Sequence, residues 1–344
     1  MHILVTGHNG YIGPVLCKRL VEEGYRVIGL DSNYFKGCDF YGFKVPIKQI
    51  AKDLRKVDGG DLKGIDAVIH LGGLSNDPLG EINAKLTYEI NHQASVRLAK
   101  LAKKNGVQRF LFSSSCSLYG VAGGDMALTE EAPLNPVTAY AISKVKVEQD
   151  LSLLADQNFS PIFFRNSTAY GVSPRLRIDL VLNNLMGWAF TTGKIKIMSD
   201  GSPWRPMAHV EDISAAFLAG LKAPLNLVHN QAFNVGRNSE NYKIRDIAET
   251  VKKTVPHSRV EYTGEHGSDS RTYRVNFDKI KTLKDFKPRW TLAKGAQELY
   301  EAFKKNHLNF EEFQGHKFIR IKHINYLIDN HKLSKKFFWI KPAR

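Results

Sequence analysis

The chain opens with the apolar run His2-Ile3-Leu4-Val5-Thr6, and comparable short runs return at Arg26–Leu30, Ala67–Leu71, Gln108–Phe112 and Pro161–Phe164. Continuously apolar runs of this length suit strands buried on both faces. Patterns of helical period lie between them, at about Tyr11 to Glu23, Glu81 to Lys104 and Val137 to Ala155. The alternation predicts an α/β fold with a doubly wound parallel sheet. After Arg165 the elements shorten and Gly, Pro and Asn punctuate them, although Phe233-Asn234-Val235 reads as a late strand returning to the sheet. The expected organisation is a domain over 1–165 with return segments near 206–235, and a smaller lobe from 166–205 and 236–310. A helical extension follows at 311–344, where Phe318, Ile321, Ile324, Leu327 and Ile328 recur at helical spacing beside a basic face.

The first strand runs directly into Gly7-His8-Asn9-Gly10-Tyr11-Ile12-Gly13. In such a turn one glycine permits the reversal, the next lets backbone approach a pyrophosphate, and the third lets helix and strand pack closely. The helix that follows aims its first amides at that pyrophosphate. This makes the domain Rossmann-type, with Gly7, Asn9, Gly10, Tyr11, Ile12 and Gly13 as candidate dinucleotide contacts. The next strand ends in Asp31, whose carboxylate can accept from both ribose hydroxyls and repels a 2′-phosphate, favouring NAD over NADP. The bland alternative is a solvated acid at a strand end. Asp53-Leu54, after another apolar stretch, offers a contact to the adenine.

Composition narrows the picture. With 344 residues and 43% hydrophobic content the chain can hold one large domain and a lobe. No apolar stretch is long enough to span a membrane. The chain enters a core strand at once, leaving no room for a signal peptide, and Cys17, Cys38 and Cys116 lack the spacing of a disulfide frame or zinc site. A cytoplasmic, metal-free protein is expected. The net charge of +15 is spread without a nucleic-acid motif, so attraction for phosphorylated substrates is expected rather than nucleic-acid binding.

Candidate chemistry begins at Ser113-Ser114-Ser115-Cys116-Ser117-Leu118-Tyr119-Gly120, after a buried strand at the edge where open α/β sheets bind ligands. Further on comes Tyr140-Ala141-Ile142-Ser143-Lys144. On a helix, residues four apart share a face, and an ammonium beside a phenol lowers its pKa toward a usable acid/base. Ser115 can relay the proton. A chance Tyr–Lys pair is the alternative, and its coincidence with the glycine turn and the serine-rich strand end argues against chance.

Together these residues resemble the extended short-chain dehydrogenase/reductases that act on nucleotide sugars, over about residues 1 to 305. The resemblance rests on the glycine turn, Asp31, His70-Leu71-Gly72-Gly73, the serine segment and Tyr-x-x-x-Lys. It also rests on Arg165-Asn166…Tyr170-Gly171 and the segment from Asp200 to Asp212. It implies Tyr140 as catalytic base, Lys144 holding it and the nicotinamide ribose, Ser115 assisting, and Leu71 beside the cofactor. It further implies that Asn166, Arg205 and Arg271 contact the diphosphate of a nucleotide-diphosphate sugar, with Asn183 and Asn184 in a nucleotide-contacting segment. Ser117 falls among the expected substrate contacts. Asp77 either reaches the sugar or caps the helix near Glu81.

The pair after Ser115 is Cys116-Ser117, which lacks the acid that dehydratases and decarboxylases of the family carry there. That leaves an NAD-dependent nucleotide-sugar epimerase, with an NAD(P)H-dependent 4-ketoreductase as alternative. A non-catalytic NAD-binding module is a third reading, which the presence of both Tyr140 and Lys144 disfavours. Cys116 is either a small packed residue or a thiol acid/base. A homodimer paired through the helices near 81–104 and 137–155 is implied by relatives.

Overall fold

A computed structural model describes residues 1–75, 77, 83–121, 126–263 and 271–340. The expected helix start near Glu81 lies outside these. Seven parallel strands form the main sheet: β1 (His2–Thr6), β2 (Arg26–Asp31), β3 (Lys48–Ala51), β4 (Ala67–His70), β5 (Arg109–Ser115), β6 (Ser160–Asn166) and β10 (Gln231–Val235). Their spatial order is β10-β6-β5-β4-β1-β2-β3. The late strand at 233–235 does return to the sheet, pairing in parallel with β6.

Side chains alternate across the sheet as a two-residue period requires. Ile3, Val5, Ile69, Leu111, Ile162 and Phe164 enter one core, while Leu4, Val68, Phe110, Phe112 and Phe163 enter the other. Both faces are covered, which explains why these strands read as unbroken apolar runs. The strand order reverses between β1 and β4, and a crevice opens there beyond their C-terminal ends.

The smaller lobe carries a three-stranded sheet of β11 (Asn241–Lys243), β9 (Trp204–His209) and β7 (Thr168–Tyr170), and a pair of β12 (Arg259–Tyr262) with β8 (Lys194–Ile197). The expected boundary at 206 falls inside β9, so the return to the main domain begins at Val210, where a helix to Lys222 packs on the sheet. Phe313 and Phe318, expected in the extension, complete the core of the smaller lobe together with Phe40. The helix Arg320–Asp329 crosses back instead, and its Ile324 and Leu327 pack with Tyr34, Leu74, Leu86 and Ile90. Among the described residues no helix is long and apolar enough to cross a membrane, and no cluster of three or more metal-ligating side chains occurs.

At the end of β4, His70 is fully buried between the Thr6 hydroxyl at 2.6 Å and the Ser95 hydroxyl at 2.7 Å. Burial, with Lys144 nearby, pushes its pKa down to about 3. An unfolded His takes its proton near pH 6.5. Between those values the unfolded chain binds a proton that the folded chain refuses, so acid favours unfolding. The wild type should lose up to about 1.4 kcal/mol per pH unit through this group below pH 6.5. His70→Asn should remove that component, read as a smaller shift in denaturant midpoint between pH 7 and pH 5.

Candidate active site

A cavity of about 530 Å³ lies in the crevice between the main sheet and the smaller lobe. Its floor is the glycine turn. Gly7 has φ +71°, and a Cβ there would lie 2.8 Å from the Gly72 nitrogen; a Cβ on Gly13 would meet the His8 carbonyl oxygen at 2.3 Å. The turn therefore demands glycine at both positions. The helix Gly13–Glu22 has Pro14 in its first turn and no side-chain cap, which leaves its leading amides open toward the cavity.

Asp31 accepts the Asn9 amide at 3.0 Å on one oxygen and the Asn33 amide at 2.7 Å on the other. These bonds fix the carboxylate at the cavity edge, with lone pairs left for ribose hydroxyls. Lys52 is tied to Asp58 and Asp61, both at 2.6 Å, and Arg55 to Asp53 at 2.6 Å. Neither is free for a 2′-phosphate, so the arrangement fits NAD. Gly7, Gly10, Tyr11, Ile12, Gly13, Asp31, Asp53, Leu54 and Leu71 all line the cavity. Asn9 does not; its side chain donates to Asn33 at 2.7 Å and shapes the loop beside it. Asp53 also takes a hydrogen bond from Tyr34 at 3.3 Å, so it meets the cavity already engaged.

Toward the smaller lobe, helix Ala139–Ser152 presents the reactive group. Thr138 caps it, accepting from the Ala141 amide at 3.2 Å, and Lys144, Val147, Glu148 and Leu151 form its buried face. Tyr140, Lys144, Ser115, Ser117 and Asn166 converge on the cavity. The Ser117 hydroxyl and the Asn166 carbonyl oxygen are buried without partners there. Such groups are costly unless a ligand engages them. Cys116 is a different case: its thiol donates to the Arg165 carbonyl at 3.1 Å, and burial raises its pKa strongly. It is a packed residue and stands outside the cavity lining.

The expectation that Lys144 draws the Tyr140 hydroxyl toward neutrality is not met. Burial first, and then the Asp77 carboxylate, push that hydroxyl up to about 12, against a hydrogen bond from Ser115 and the charges of Arg177 and Arg271. The Lys144 ammonium donates instead to the Ser113 carbonyl at 2.7 Å and lies 5.6 Å from the Tyr140 ring centre. Burial lowers its own pKa to about 8, although Glu148 one turn on opposes this.

Asp77 pairs with Arg271 at 2.7 Å and accepts from the Thr138 hydroxyl at 2.5 Å. The cap of the helical segment Ala84–Thr87 is Asn83. Asp77 itself lines the cavity. Arg205 donates to the Arg271 carbonyl at 2.5 Å, so the two expected phosphate contacts form one cationic wall. Asn183 lies away from these groups. It is 0% exposed, bonded to the Arg177 carbonyl at 2.8 Å and to the Gly171 amide, and it braces the loop 171–177 rather than touching the cavity. Asn184 is half-buried on the same helix and does not line the cavity either.

Sequence reasoning missed several residues. Arg177 forks onto Asp179 through two contacts of 2.9 Å and reaches Ser75 at 3.2 Å. Asn91, in a π-helical stretch Tyr88–Gln93, clasps both backbone groups of Leu74 and so fixes the loop after β4. Glu148, eight residues after Tyr140 on one helix face, was the detectable signal. Arg320, Ile321 and Ile324 of the last helix also line the cavity.

A model of the NAD dependent epimerase/dehydratase family matches residues 3–236. The chain is 30% identical over 284 residues to the UDP-glucose 4-epimerase of Bacillus subtilis (strain 168), covering 74% of this chain and 82% of the relative. It is 24% identical over 330 residues to the UDP-glucuronate 4-epimerase of Thermodesulfobacterium geofontis (strain OPF15), covering 89% and 97% respectively. The crystal structure of UDP-glucuronic acid 4-epimerase from Bacillus cereus with UDP-glucuronic acid and NAD superposes with a TM-score of 0.77 at 23% identity. That match covers 89% of this chain and 99% of that one and shows a shared fold.

Proposed function

The chain belongs to the NAD dependent epimerase/dehydratase family, and we propose that it is an NAD-dependent nucleotide-sugar epimerase acting at C4 of a UDP-hexose or UDP-hexuronate. One observation carries the choice within the family. The reacting end of the cavity holds Tyr140 and Ser115 beside Cys116-Ser117, and the carboxylate that Tyr140 senses, Asp77, is held by Arg271 and Thr138. A proton acceptor is thus present, while the acid needed to expel a hydroxyl is absent from the serine segment. The curated relatives named above are 4-epimerases of UDP-sugars.

The glycine turn, Asp31, Leu54, Leu71 and Lys144 would hold the dinucleotide, which supplies a reversible hydride acceptor, so that oxidation and re-reduction cancel. Tyr140 takes the proton from the sugar hydroxyl as it becomes a ketone and gives it back after the sugar has turned. Ser115 hydrogen-bonds the same phenol and holds it aligned. Ser117 and Asn166 offer a hydroxyl and an acceptor to the sugar, and Arg205 with Arg271 holds the diphosphate. Arginine suits that place because its planar fork matches phosphate oxygens. The engaged state of Lys52 and Arg55 weighs against the NADPH-dependent reductase.

The test is turnover of UDP-glucose and UDP-glucuronate without added cofactor, followed by identification of the nucleotide released on denaturation. Interconversion with stoichiometric NAD supports the reading; net consumption of NADPH overturns it. The same reading includes a homodimer paired through helices Ala94–Lys104 and Ala139–Ser152 and a cytoplasmic location. Leu153, 84% exposed directly after the second helix, is an apolar group such pairing would cover, and light scattering tests it.

Asp77 sets the working pH. Because its carboxylate lifts the Tyr140 pKa, Asp77→Asn should move the ascending limb of the kcat/KM profile to lower pH. An unmoved limb would mean that Tyr140 is not the group being titrated.

A further inference from the structure

Three guanidiniums meet beneath the loop that follows β2, and two of them are neutralised. Arg175 pairs with Asp39 at 2.8 Å and donates to the Phe35 carbonyl at 2.9 Å. Arg177 pairs with Asp179. Arg320 has no ion pair among the described residues. It is 2% exposed, stacks over the Phe35 ring at 3.9 Å, and donates through Nη2 to the Arg175 carbonyl at 3.2 Å. Its Nη1 is buried without a partner. Among the described residues three cations here face two carboxylates, and a buried charge left uncompensated is strongly unfavourable. Burial and the neighbouring arginines lower its pKa to about 10, consistent with an anion missing from its surroundings.

The position of that missing anion follows from a chain of bonds. The Ser173 hydroxyl donates to the Tyr11 carbonyl at 2.7 Å and accepts from the Arg175 amide at 3.2 Å, and the Arg175 carbonyl receives Arg320. Arg320 is thereby tied to the loop packed on the glycine turn, beside the uncapped start of the first helix. Both line one cavity. Arg205 donates instead to the Arg271 carbonyl, and Arg271 pairs with Asp77, on the side of Tyr140.

We propose that Arg320, from the last helix, clamps the diphosphate of the bound dinucleotide opposite the glycine turn. The inference rests on the cofactor reading above. It makes residues 320–329 a working wall of the cofactor site, although they lie beyond the segment the family model matches.

The full chain and its Arg320→Gln and Arg320→Lys variants would be titrated calorimetrically with ADP, adenosine and UDP, after the nucleotide content of each preparation is measured. Loss of a charge-assisted hydrogen bond predicts about a ten- to hundredfold weaker affinity for ADP in Arg320→Gln, with adenosine and UDP unchanged. Arg320→Lys should recover part of it. Unchanged ADP affinity overturns the proposal, and so does a loss confined to UDP, which would place the clamp on the sugar nucleotide. A wild type that binds neither NAD nor ADP would sink the cofactor reading itself. Should the variants fail to fold, hydrogen exchange on the wild type decides. ADP should protect the helix Arg320–Asp329 and UDP should not; absence of ADP protection overturns the assignment.

Discussion

Tyr140→Phe is expected to lower kcat by about 10²- to 10⁴-fold, the range of a positioned general acid or base, while the NAD content of the purified protein stays unchanged. The phenol hydroxyl is the group removed, and the ring that fills the wall of the cavity remains. Burial and the Asp77 carboxylate push the hydroxyl up to about 12, and Lys144 donates to the Ser113 carbonyl. A turnover assay on a UDP-sugar, paired with nucleotide release on denaturation, separates loss of chemistry from loss of cofactor. Near-wild-type turnover would remove Tyr140 from the mechanism.

Glu148→Leu should have the largest effect on stability. Glu148 and Arg165 are both buried and share three contacts of 2.8 to 3.2 Å, and the Ser114 hydroxyl donates to the same carboxylate at 2.5 Å. Arg165 continues to the Tyr119 hydroxyl and the Glu130 carbonyl. The pair locks the helix Ala139–Ser152 to β5 and β6. Removing one partner strands a guanidinium in the core, at a cost of about 3–5 kcal/mol. The double variant Glu148→Leu with Arg165→Met should be more stable than Glu148→Leu alone, because neither charge is then left over. Denaturant unfolding of the three proteins checks this; equal losses would mean the pair is not coupled.

Much of this arrangement was legible in the chain because local patterns determine it. The unbroken apolar runs mark strands covered on both faces, and the glycine turn has its chemistry within seven residues. The Tyr140–Lys144 spacing places both residues on one helix face. What escaped depends on partners distant in sequence. Asp77 meets Arg271, and no local pattern announces that pairing. A motif shows residue type and not partners, so the bonds of Asn183 to the Gly171 amide and the Arg177 carbonyl had no local sign. The pKa of Tyr140 depends on how much water the folded chain excludes. The basic spacing of the last segment suggested a wet helix face, yet Arg320 lies on the buried side.

The cavity wall supplied by Arg320, Ile321 and Ile324 is also the last part of the cavity to be synthesised. Every strand of the main sheet and the whole glycine turn precede residue 236. The segment that covers the loop after β2 comes about a hundred residues later. There the Phe337 carbonyl receives Tyr34 at 2.7 Å, Trp339 donates to the Ser32 carbonyl at 2.6 Å, and Arg55 lies over the Phe338 ring at 3.8 Å. A nascent chain can thus form its sheet and cradle on the ribosome while that loop stays open to water. On the proposed role of Arg320, a chain clipped before residue 318 is expected to bind ADP more weakly than the full chain, which calorimetry checks.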